Sequence, residues 1–228
     1  MADKSARLPD ISRALPVFPL PEVVLFPHAH LPLHIFEPRY RQMVDDLQQR
    51  DEPDRLLAMG TIMNGHNDDT LGDPPVFRIV GVGRLVESTR LPDGRYIVIL
   101  RGIGRARLVN EVSGAHPYRE FCATWVEETI ASLASWRNGL ATELKALALA
   151  AVRESGEKFR ELIQRENDLS VLVDLISAYM PFSIDFKLVQ LANPNVLGRT
   201  AHVISELEGR MAPQRGKRIK IDDDPTAN

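Results

Sequence analysis

The run Leu15-Pro16-Val17-Phe18-Pro19-Leu20-Pro21, continued by Val23-Val24-Leu25-Phe26-Pro27 and Leu31-Pro32-Leu33-His34-Ile35-Phe36-Glu37-Pro38-Arg39-Tyr40, alternates short apolar pieces with proline. Pro16, Pro19, Pro21, Pro27 and Pro32 each lack a backbone donor, so this segment cannot be a central strand along its whole length. It is expected to zigzag along a sheet edge and to pair in pieces. Pro38 suits a first helical position, and Tyr40, Met43, Val44 and Leu47 follow at helical spacing. One helix is therefore predicted, ending near Gln48-Gln49-Arg50-Asp51.

Outward from this segment the hydrophobic period stays short up to about Val126. Val23 to Phe26, Leu56 to Met59, Phe77 to Val82, Tyr96 to Leu100 and Phe121 to Val126 read as strands. Leu91-Pro92-Asp93-Gly94-Arg95 has the residues of a tight reversal, so Arg84 to Thr89 should pair with Tyr96 to Leu100 as a hairpin. The polar stretch Asn64 to Pro75 reads as an exposed loop. From Glu127 the period becomes helical, with Leu133, Trp136, Leu140, Leu144, Leu147 and Ala151 on one stripe. Further helices are predicted around Phe159 to Ile163, from Leu169 to Met180, after Ser183, and from Asn193 or Asn195 to about Gly209. The expected class is α+β: an extension over residues 1–14, a β domain over 15–126 with one interrupting helix, a helical bundle over 127–210 and a tail over 211–228.

Composition narrows the function. The chain has 228 residues, 44% hydrophobic and 26% charged, with 28 Lys plus Arg against 31 Asp plus Glu. Such a balance excludes an overall basic field for nucleic acid or membrane. Cys122 is the single cysteine, which rules out an internal disulfide and a cysteine-built metal cluster and fits a reducing compartment. With no signal-peptide core at the N-terminus and no run of the length a membrane span needs, the protein is expected in the cytoplasm, off the membrane. An ATPase needs a phosphate loop, yet the only Gly-Lys is Gly216-Lys217, and none of the six lysines stands in the β half to act as a catalytic base.

The proline-rich opening, together with Leu91-Pro92-Asp93-Gly94-Arg95-Tyr96 and Leu100-Arg101-Gly102-Ile103-Gly104-Arg105, resembles the N-terminal domain of the ATP-dependent protease Lon. It is most similar to free-standing bacterial proteins that carry this domain alone. The resemblance covers the β half; the helical half matches in arrangement. It implies a PUA-like pseudo-barrel followed by a helical bundle, and a substrate-holding, non-catalytic role without a cofactor. Where many relatives carry Gly after the Phe-Pro pair, this chain has His28.

Several clusters are candidates for a site. His28, His30 and His34 share a strand parity, a pattern that can converge on zinc, but Pro27 and Pro32 break the alternation and no metal is expected. His34, Glu37, Arg39 and Tyr40 surround the helix start and form the candidate peptide-binding set; the plainer account is that Pro38 starts the helix, Glu37 meets its positive end and Tyr40 packs beneath. Gly81-Val82-Gly83 and Gly102-Ile103-Gly104 lie in strand patterns, where paired glycines mark bulges or barrel corners. From Val76 to Leu108 seven arginines face two acids, whereas Gln42 to Pro75 holds two arginines against eight acids. Arg84, Arg101, Arg105 and Arg107 are the candidate anion or RNA-binding residues; the last three share one strand face unless a glycine bulge resets the register. The function expected first is recognition of unfolded or extended polypeptides, in quality control or as an adaptor to a protease or chaperone, with oligomers allowed. RNA binding stands second, since the arginine-rich segment offers few aromatic platforms.

Overall fold

Strand β5 (Tyr96–Val112) is long enough to belong to two structures at once. In the computed structural model, which describes residues 8–63, 73–112, 114, 116–130, 134–152 and 156–211, its first half pairs with β2 (His30–Ile35) and its second half with β6 (Arg119–Val126). Strand β4 (Ile79–Arg90) runs antiparallel along nearly all of it. The sheet order is β2-β5-β4-β3-β1-β6, with β3 at Leu56–Thr61 and β1 at Leu15–Leu20. Because β6 also pairs with β5, five strands close into a ring and β2 stands outside it on an arm.

Two apolar layers follow from strand alternation. Inside the ring lie Leu15, Val17, Leu56, Ala58, Val80, Val82, Ala106, Leu108, Phe121 and Ala123. The opposite face, with Leu57, Met59, Leu85, Tyr96, Val98 and Leu100, is covered by Tyr40, Met43, Val44 and Leu47 of helix α1 (Pro38–Gln48). Adjacent acids of that helix pin it down: Asp45 accepts from the Tyr96 hydroxyl, and Asp46 from the Tyr118 hydroxyl at 2.9 Å.

Two sequence expectations need correction here. Val23–Phe26 is not a strand; it crosses the sheet face so closely that a Cβ on Gly81 would lie 1.8 Å from the Leu25 carbonyl oxygen, and one on Gly102 2.0 Å from that of Phe26. Only glycine admits this crossing. Nor does β1 run along an edge, since it lies between β3 and β6. The prolines are tolerated because the neighbours take different halves, Leu15 to Val17 for β6 and Val17 to Leu20 for β3. Of the opening segment, only β2 with Pro32 is a true edge.

The helices are α2 (Ala134–Ala151), α3 (Glu157–Arg165), α4 (Leu169–Tyr179), α5 (Ile184–Ala192) and α6 (Val196–Met211). Asp168 caps α4 by accepting from the Ser170 N–H, and Ser183 caps α5 by accepting from that of Phe186. Leu144, Ala148, Ile163, Leu172, Ile176, Val203 and Leu207 form their common core. In α3, Ile163 is buried while the neighbouring Leu162 is exposed. The predicted loop from Asn64 to Gly72, Leu133, the Trp136 side chain and the tail beyond Met211 lie outside the described residues.

The bundle meets the ring through a buried charge network. Arg105 of β5 donates from Nη2 to Asp174 of α4, from Nη1 to Glu128 at 2.9 Å and from Nε to the Leu191 carbonyl at 3.1 Å. Arg199 of α6 reaches the same two acids. Two arginines against two carboxylates leave the site neutral, the condition under which burial is tolerated. Phe26, Ala29 and Leu191 close the apolar part of the seam.

Candidate functional site

Opposite the α1 layer, the arm presents a sheet face to solvent. The register sets it out in rungs: His34, Ile97 and Thr89; Pro32, Ile99 and Glu87; His30, Arg101 and Arg84. At a β-bulge Val86 and Glu87 together oppose Ile99. Ile97 is 48% exposed, Val86 36% and Phe36, just beyond the end of β2, 62%. The Phe36 ring stands edge-on to His34, with centroids 6.2 Å apart. Large apolar side chains gathered on one open face mark an interaction surface far better than the same residues scattered singly.

The free edge of β2 borders this face. The His30 N–H points away from β5 and donates to the Tyr179 hydroxyl at 2.8 Å. By strand alternation Pro32 and His34 share that outward direction. Pro32 has no N–H to offer, which blunts the edge against self-pairing while leaving the His34 backbone groups in reach. Tyr179, 43% exposed and in ring contact with Phe159, continues the apolar surface onto the bundle.

Of the candidate peptide-binding residues, only His34 lies on this surface. Tyr40 points the other way, buried edge-on against Phe18 at 4.5 Å, and burial pushes its phenol up to about 12. Glu37 makes no side-chain cap; its carboxylate takes the Arg39 Nε at 3.1 Å, and the Arg39 guanidinium lies over the Tyr40 ring. The helix start is thus a packed corner, which corrects the grouping of these four residues into one patch. Strand alternation is the cause: Ile35 faces the α1 layer, so His34 faces away from it.

The arginine set is divided in the same way. Val82 pairs with Gly104 and Gly83 with Gly102, so Ile103 is an extra residue that flips the register. Arg101 consequently lies opposite Arg84 on the arm's solvent face, while Arg105 lies opposite Gly81 on the other face and is buried against Asp174. Arg107 is exposed on that second face, opposite Ile79. The grouping of Arg101, Arg105 and Arg107 on one face is corrected by the bulge, and Arg105 is withdrawn from any surface role. Among the described residues no group of three or more His, Cys, Asp and Glu is placed to hold a metal ion. His28 sits in a left-handed turn at φ 67° and donates its N–H to the Gly102 carbonyl at 2.9 Å.

Sequence reasoning missed Phe36, Ile97 and Val86. The available signal was the unbroken run Tyr96 to Leu100: in a strand covered on one side only, half of such a run must face water.

The architecture is an α+β domain whose exposed apolar face belongs to an edge arm of its sheet. The model of the "ATP-dependent protease La (LON) substrate-binding domain" matches residues 14–209, and the chain belongs to that family. It is 24% identical over 224 residues to the Lon protease of Azorhizobium caulinodans, covering 93% of this chain and 25% of the relative. Against the Lon protease of Salinispora arenicola it is 29% identical over 205 residues, covering 88% and 24%. The chain therefore spans about a quarter of the length of the curated relatives it matches. Among solved structures, the N-terminal domain of Mycobacterium avium complex Lon protease superposes with a TM-score of 0.68 at 20% identity, covering 86% of this chain and 98% of that one. A Lon N-terminal domain protein from Xanthomonas campestris gives 0.62 at 20% identity, covering 84% and 97%. At that identity the likeness concerns the fold.

Proposed function

We propose that this chain is a non-enzymatic binding domain that holds extended segments of other polypeptides on the solvent face and free edge of the β2-β5-β4 arm. The observation that carries this reading is the row Phe36, Ile97 and Val86, exposed together on one sheet face beside the outer edge of the terminal strand β2. A segment laid there gains main-chain hydrogen bonds at the edge and apolar contacts on the face. Family membership supports it, since the family is a substrate-binding domain. We read the ring and arm as a PUA-like pseudo-barrel over 15–126, followed by a bundle over 127–210, in a cytoplasmic protein that delivers segments to a protease or chaperone. His34 is the candidate peptide-binding residue retained.

The test is fluorescence anisotropy with a labelled, permanently unfolded polypeptide. Replacing Phe36→Ala and Ile97→Glu together should weaken binding at least about tenfold, the loss of one well-buried apolar side chain, with thermal unfolding unchanged. Unaltered affinity in that variant overturns the assignment of the face. RNA binding through the four arginines would have to proceed without Arg105, whose guanidinium is committed to Asp174 and Glu128.

A further inference from the structure

The rung Arg84–Arg101 is electrostatically unfinished. These two residues are directly opposed in the antiparallel register, an arrangement of like charges that works against pairing. Neither has a carboxylate partner among the described residues, and the Arg84 Nε is buried with no acceptor. Other arginines do have carboxylates: Arg39 has Glu37, Arg119 has Glu111, and Arg105 and Arg199 share Asp174 and Glu128, although the Nε of Arg199 and that of Arg41 are also buried without an acceptor. His30 extends the rung on the far side of Arg101.

The surroundings say what would complete it. Ile99 and Ile97 follow on β5 at the next two rungs, with Phe36 beyond, so cation and apolar side chains share one face at the two-residue repeat of a strand. Glu87, opposite Ile99, stands one rung from the arginines and repels an acid placed there. Resting on the reading that this face holds polypeptide segments, we infer that Arg84 and Arg101 form a carboxylate seat. Preferred segments are extended, with an Asp or Glu over this rung and an apolar side chain two residues away over Ile99 and Ile97. The guanidinium forks bind the carboxylate through charge-assisted hydrogen bonds, and Glu87 fixes the direction in which the segment lies. A nucleic-acid strand fits less well, because its repeating phosphates need a continued track of cations where this face turns apolar and acidic.

Two labelled peptides, Gly-Phe-Val-Glu-Val-Gly and its Gln counterpart, titrated by anisotropy at low and high salt, test the seat together with an oligouridylate probe. The Glu peptide should bind the full chain about tenfold more tightly at low salt, the size of one charge-assisted pair, and lose that advantage at high salt. In the double variant Arg84→Gln, Arg101→Gln the two peptides should bind alike, at the wild-type affinity for the Gln peptide. Arg101→Gln alone should leave the melting temperature equal or higher, because it removes a like-charge contact; a lower one overturns the seat in favour of a structural role. Equal binding of both peptides by the wild type overturns the seat but keeps the face, whereas binding of neither at millimolar concentration overturns both. Tighter binding of the oligouridylate, lost in the double variant, overturns the polypeptide carboxylate as the occupant.

Discussion

Arg105 of β5 and Asp174 of α4 form an ion pair whose side chains are each only 1% exposed, joining the ring to the helical bundle. The buried Asp174 Oδ2 and Arg199 Nε lack partners among the described residues, so the network holds its charge balance with two polar atoms to spare. Breaking one side strands a charge in the seam. Arg105→Ala should therefore cost roughly 3–5 kcal/mol, whereas the charge-balanced Arg105→Met, Asp174→Leu pair should cost less than either single change. A double-mutant cycle by urea denaturation reads the coupling directly; simple additivity would contradict it.

Acid should loosen the same seam through Glu128. Burial pushes this carboxyl up, but the Ser170 hydroxyl, Arg199 and Arg105 outweigh it and hold the group below its ordinary value of 4.5. A folded value below the unfolded one means that stability is fully present above about pH 4.5 and is lost as pH falls through the folded value. Melting temperatures between pH 2.5 and 6 should fall more steeply for the wild type than for Glu128→Gln.

Alkali acts on the α1 layer. Burial raises the phenols of Tyr40, Tyr96 and Tyr118, that of Tyr40 to about 12, and the aspartates Asp45 and Asp46 add to the rise at Tyr96 and Tyr118. A raised folded value makes stability fall as pH climbs from 10, the unfolded value, towards the folded value of about 12 at Tyr40, by at most roughly 1.4 kcal/mol per pH unit for that group. Absorbance near 295 nm, followed upward from about pH 9, should show tyrosine ionisation completed at higher pH in the folded chain than in the chain unfolded by urea.

His28 occupies a left-handed conformation at φ 67° with its side chain in solvent. A residue with a Cβ pays about 1 kcal/mol for that conformation, so His28→Gly should stabilise by up to about that amount in chemical denaturation. A loss of stability would mean the imidazole makes contacts that offset the strain.

Glycines should respond according to what faces them. Gly81→Ala drives a Cβ into the Leu25 carbonyl and should cost about 3 kcal/mol or more. Gly139, in α2 with nothing within 4 Å of its would-be Cβ, should instead gain up to about 1 kcal/mol as alanine. Equal responses at the two sites would contradict the close crossing of Leu25 over the sheet.

Much of the architecture was legible in the chain. Periods of two and then of three to four residues separated the sheet from the helices, Pro-Asp-Gly located the β4-β5 reversal, and Pro38 with Tyr40, Met43, Val44 and Leu47 located α1. Those signals are local, because backbone propensity and the burial of one face act over a few residues. The site was less legible. Val23–Phe26 has the composition of a strand but crosses the sheet face over Gly81 and Gly102, and β1 carries two prolines inside a sheet because its neighbours divide it between them.

The sequence by itself determined the α+β class, the element types, the glycine positions and the surplus of arginine in the hairpin. Only the tertiary structure decided which face each side chain took. One extra residue, Ile103, separates Arg101 from Arg105 across the sheet, and α4 with α6 supplies the acids that bury Arg105. The physical reason is that strand pairing is non-local: a bulge is defined by the register of two strands, and a surface becomes solvent-facing only once no other element packs on it.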